Sequence, residues 1–155
     1  MTTVRRARSA ASRLAGFMAE YTPEVRAVGR AALARMRARV PAAVQLVYDN
    51  YNGLVIAFGP SERASDAVLS IVLYPRWVTL FFADGARLRD PTKRLRGAGK
   101  RFRHVVLEGA WTLDDSDVRA LVTQALARAK APIGRGRGRI VVKSVSPKRR
   151  PRRPR

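Results

Sequence analysis

The 155-residue chain contains no cysteine. Disulfides, zinc–thiolate sites, iron–sulfur clusters and cysteine nucleophiles are excluded, and nothing follows about redox compartment. Histidine occurs once, at His104, so one chain cannot assemble a metal centre rich in nitrogen or sulfur ligands. Acidic residues are scarce: 11 Asp and Glu stand against 32 Lys and Arg, for a net charge of +21, and none follows Asp117. No stretch approaches the roughly 18 consecutive apolar residues of a membrane span, and the N-terminus has no signal-peptide apolar run. The expectation is a cytoplasmic protein with no membrane segment.

What is present is enough for one folded unit. An apolar fraction of 46% suits a globular body of this length plus tails. The ends carry most of the charge. Arg5, Arg6, Arg8 and Arg13 lie in residues 1–19 without an acid, and the final eight residues, Lys148 to Arg155, hold six cations and two prolines. Such a segment cannot bury enough apolar surface to fold alone and seeks polyanions. Arginine outnumbers lysine 27 to 5. Guanidinium suits bidentate phosphate contacts, a reading kept for the tail, whereas GC-rich codon usage is the reading favoured for most arginines of the body.

Thr22-Pro23-Glu24 is a helix start, with a capping hydroxyl, a proline where no N–H is needed and an acid at the positive end of the dipole. Val25, Val28, Gly29, Ala32, Leu33, Met36 and Val40 follow at helical spacing until Pro41. From Val44 the period becomes two. Val44–Asp49 and Leu54–Phe58 read as strands around an Asn52-Gly53 turn, and Ala67–Tyr74 and Trp77–Ala83 as a second hairpin. Phe102–Glu108 is a fifth strand. Asp114 or Asp115 caps a helix striped by Val118, Leu121, Val122, Ala125 and Leu126, which Pro132 stops. Ile140–Val142 is an apolar island that either docks or stays free. The fold class is α+β: one small domain, a curved antiparallel sheet of about five strands, and N- and C-terminal helices packed on it. Residues 1–19 form a basic segment helical in its second half, 20–131 the domain, and 132–155 a largely disordered Arg/Pro/Gly-rich tail.

Several segments, in order, carry a resemblance. They are residues 43–52 (AVQLVYDNYN), 59–63 (GPSER), 73–77 (LYPRW), 80–82 (LFF), 88–91 (LRDP) and 95–104 (LRGAGKRFRH). Together they resemble the YdhG-like domain family, a bacterial domain of unknown function, over roughly residues 17–130. The Gly-x-Gly-Lys-x-x-x-His segment is the most specific piece. The resemblance implies a small α+β domain with a curved antiparallel sheet. Some relatives bear a frataxin-like iron-chaperone label, a role that relies on an acidic surface, and this chain departs from it by its positive charge.

Three candidate regions follow. Around Gly97 and Gly99, the residues Arg96, Lys100, Arg101, Arg103 and His104 could hold an anion if backbone N–H groups converge there, or the glycines simply shape a turn. It is not a Walker loop, since the glycine spacing and the Ser/Thr after Lys are missing. Tyr48, Asp49, Asn50 and Tyr51 are ligand-pocket candidates that equally serve a hairpin. In the tail, Arg135, Arg137, Arg139, Lys148, Arg149, Arg150, Arg152, Arg153 and Arg155 are polyanion-binding candidates, with Arg-Gly-Arg steps and Ser146-Pro147-Lys148-Arg149 suited to a narrow minor groove. Asp114, Asp115 and Asp117 read as helix caps rather than metal ligands. No catalytic residue, metal ligand or cofactor is assigned, since no nucleophile–base pair is recognisable. The leading reading is a non-enzymatic domain that binds nucleic acid or another polyanion through its tail. The alternative is a small-ligand or metal-carrier domain, with a small anionic ligand possible, and an enzyme comes last.

Overall fold

A computed structural model describes residues 9–155; Arg5, Arg6 and Arg8 lie outside the described residues. Helix α1 (Ala10–Ala19) starts at Ser9, whose side chain accepts from the Ser12 amide. Helix α2 (Pro23–Arg39) starts as its sequence dictates: the Thr22 hydroxyl accepts from the Val25 amide at 3.3 Å and Pro23 occupies the first turn.

Five strands then run as an antiparallel meander: β1 (Val44–Asp49), β2 (Leu54–Gly59), β3 (Leu69–Leu73), β4 (Val78–Phe82) and β5 (Arg103–Leu107). The first turn is closed by Asn50 N–H to Gly53 O at 3.0 Å, the second by Tyr74 N–H to Trp77 O at 2.9 Å. Helix α3 (Ser116–Ala127) follows β5, and the chain returns to the far edge as β6 (Ile140–Val145). The sheet order is β5-β4-β3-β2-β1-β6.

The expectation of about five strands is roughly met, and only its purely antiparallel character is corrected. The sheet has six strands and is mixed, because β6 pairs parallel with β1. Without it, β1 would present an edge of unpaired amides and carbonyls. Residues 140–145, inside the segment read from the sequence as a tail, belong to the sheet. Ile140–Val142 is too short to announce a strand by pattern alone. Its partner is β1, almost a hundred residues earlier in the chain.

One face of the sheet carries the helices. Leu14 and Met18 of α1, Val25, Leu33 and Met36 of α2, and Val118, Leu121 and Val122 of α3 share a core with Leu54, Ile56, Ile71, Leu80, Val105 and Leu107. Burying each such aliphatic side chain contributes ~1.5–3 kcal/mol. Contact between α2 and β3 is close enough that a Cβ at Gly29 would stand 2.9 Å from Leu73 Cδ2. On the opposite face Val44, Leu46 and Ala57 form a smaller cluster with Tyr48, Ala67 and Val141 packed beside it.

Candidate polyanion interface

Between β4 and β5 the chain makes a long basic excursion, pinned at its base by Arg94. The Arg94 guanidinium donates to Asp115 at 2.9 Å and to Asp117 at 3.1 and 3.3 Å. The Asp90 carboxylate accepts from the amides of Arg94 and Leu95, both at 2.8 Å. Burial raises the Asp117 pKa, but bonds from Thr92 Oγ1, its neighbour's amide at Val118 and Arg94 outweigh that and hold it below the usual value. The hydrogen bond to Asp115 is the main reason Arg94 is held above its own. The capping expectation is therefore corrected. Asp115 stands at the N-cap of α3, yet its side chain makes no cap bond and goes to Arg94, while Asp114 pairs with Arg35 at 3.0 Å.

Beyond this clamp, Arg96 and His104 exchange backbone hydrogen bonds of 2.8 and 2.9 Å. Gly97 takes φ +115°, a region L side chains rarely adopt, and a Cβ there would stand 3.6 Å from His104 Nδ1. The imidazole packs at 5.2 Å from the Phe81 ring. Arg103 folds back so that its guanidinium donates to the carbonyls of Gly99 and Phe102, and Arg101 lies 3.9 Å from Asp84. Gly97 through Phe102 are exposed, and none of their amides donates a hydrogen bond among the described residues. Phe102 precedes β5 instead of starting it, and is 58% exposed amid Lys100, Arg101 and Arg103. The fold thus gathers Arg96, Gly97, Arg103 and His104 closely, with Gly99, Lys100 and Arg101 on the loop around them.

Tyr48 and Asp49, adjacent in β1, take opposite faces of the sheet. Alternation in β1 sends Tyr48 toward the open-face cluster, where its hydroxyl is buried without a partner among the described residues. Asp49 is fully buried, and there it meets the tail. Arg152 Nη2 donates to Asp49 Oδ1 at 2.8 Å, and Arg149 Nη1 to Oδ2 at 2.5 Å. Arg149 also grips Glu20 at 2.8 and 3.1 Å. That bond and the Asp49 charge hold its pKa above the usual value against burial. Arg152 is 5% exposed, donates to the carbonyls of Asn50 and Tyr51 and lies 5.7 Å from the Tyr21 ring centre. Arg150 lies 5.9 Å from the ring centre of Tyr51, and its amide donates to Tyr51 O. Asp49, Asn50 and Tyr51 are a socket for residues 149–152.

The tail residues therefore divide. Arg149 and Arg152 are committed to carboxylates, Arg139 pairs with Glu62 at 3.1 Å, and Arg153 donates to Glu20 O. Arg135, Arg137, Lys148 and Arg155 are exposed and without an ion pair among the described residues. Two signals in the sequence pointed this way: an aspartate at an inward position of an apolar strand needs a cation, and an aromatic amid cations is a poor strand start. No family model, curated protein or solved structure matches the chain.

Proposed function

We propose that the protein is a non-enzymatic domain that binds nucleic acid, single strands foremost, on a folded basic surface rather than through a free arm. The observation that carries this reading is the 96–103 loop. Exposed amides, a half-open aromatic and four cations occupy one short segment there, on a body whose carboxylates are mostly bound to arginines already. Cations that follow a phosphate chain, beside an aromatic face that accepts any base, are what sequence-tolerant single-strand binding requires. Arg135, Arg137, Lys148 and Arg155 add unpaired charge. The resemblance of residues 17–130 to YdhG-like domains, including the curved sheet it implies, fits this scaffold. Its iron-carrier label suits it less, since that role wants an acidic surface.

Fluorescence anisotropy with labelled single- and double-stranded oligonucleotides, across a salt series, tests the reading. The slope of log K against log salt is about −0.7 per phosphate contact for single strands. Phe102→Ala loses about 5- to 150-fold in affinity, the value of one stacked base at ~1–3 kcal/mol. R96A/K100A shallows the salt slope. Absence of binding at physiological salt, or indifference to all these changes, refutes the proposal.

A further inference from the structure

In a chain with a net charge of +21, a carboxylate without a basic partner is the unusual group. Among the described residues Glu20, Asp49, Glu62, Asp84, Asp114, Asp115 and Asp117 each have a guanidinium within 4.0 Å. Asp66 accepts from Ser61 and Asp90 from two amides. Among the described residues Glu24 and Glu108 make no such ion pair or side-chain hydrogen bond.

These two line the same cavity. About 240 Å³ in volume, it opens where the first turn of α2, the β3–β4 turn and the end of β5 meet, between Glu24, Val28, Trp77, Val106 and Glu108. Trp77 is 50% exposed and is backed by Tyr74, with ring centres 6.1 Å apart. Arg76 borders the cavity but lies beyond 4 Å of both carboxylates.

We propose that this cavity binds an organic cation, a guanidinium or alkylammonium head group. An indole face attracts a cation through its quadrupole. Two carboxylates complete the charge, and Val28 and Val106 accommodate the attached carbons. A compact inorganic cation would leave the apolar wall and the indole unused. The head group belongs either to a free amine or to an arginine of a second copy of this chain.

The test uses the full chain carrying Trp111→Phe, which leaves Trp77 as its one indole. Titration with agmatine at constant ionic strength, balanced with sodium chloride, should shift Trp77 fluorescence saturably, with a midpoint on the order of 1 mM, about −4 kcal/mol. E24Q/E108Q weakens the midpoint at least tenfold with unchanged circular dichroism, and R76A tightens it by removing a like charge. Calorimetry on the wild-type chain gives the same midpoint. Sedimentation equilibrium then separates the sources: a dimer that agmatine dissociates assigns the cavity to a second copy's arginine, and a monomer throughout assigns it to a free amine. A response equal to that of sodium chloride, or one unchanged in E24Q/E108Q, overturns the proposal.

Discussion

Replacing Arg152 with alanine separates a built-in clasp from a free cationic arm. The Asp49 carboxylate is 1% exposed and its Arg152 partner 3%. Removing one member of such a pair costs ~3–5 kcal/mol, because the other charge stays buried without compensation. Two features lower that figure. Arg149 still reaches the second Asp49 oxygen and is 30% exposed, so it can follow the carboxylate if it relaxes. The carbonyls of Asn50 and Tyr51 lie at an exposed turn and turn to water at little cost. The expectation is a loss of about 2–4 kcal/mol, a large share of the ~5–15 kcal/mol that holds a domain folded. Arg35→Ala is the internal control. It breaks an ion pair with side-chain exposures of 39% and 61%, and such surface pairs contribute ~0–1 kcal/mol. Urea unfolding followed by circular dichroism measures both variants, and Asp49→Asn with Arg152→Ala closes a double-mutant cycle that recovers part of the loss. An R152A midpoint indistinguishable from that of R35A refutes the reasoning, since Arg152 would then behave as a solvated tail residue.

Two further outcomes follow from single residues. Gly97→Ala destabilises by ~1–3 kcal/mol because φ +115° strains any side chain, whereas Gly99→Ala, with nothing within 4 Å of its Cβ, stays within about 0.5 kcal/mol; equal urea midpoints for the two would contradict this. Tyr21 is pushed up to about 12, chiefly by burial and against the nearby Arg152 charge. The fold favours the neutral phenol, so its contribution is complete below the unfolded value near 10 and is lost as pH rises from about 10 through 12, by roughly 2–3 kcal/mol. Comparing urea midpoints at pH 9 and 11 checks it: the wild type falls further than Tyr21→Phe, and parallel falls would exclude this group as the cause.

The start of α2, both hairpins and the stripe of α3 were legible in the sequence because each is written in neighbouring residues: a capping threonine before proline, period-two alternation around turn residues, apolar residues three and four apart. The basic loop was legible as composition, and Gly97 as a turn residue. Which groups would meet was not. Arg94 and Asp117 are bridged only because the excursion before β5 folds back onto the start of α3. Glu24 and Glu108 share a cavity because the first turn of α2 lies over the end of β5. The tail shows the division most clearly. By itself, a run of arginines and prolines has no apolar surface to bury and reads as a solvated arm. It is ordered here by what lies a hundred residues away: an open edge on β1 that accepts β6, and a buried Asp49 that requires cations. Local free energies are carried by neighbours in sequence, but the need to pair a buried charge or a strand edge arises only once the core has formed.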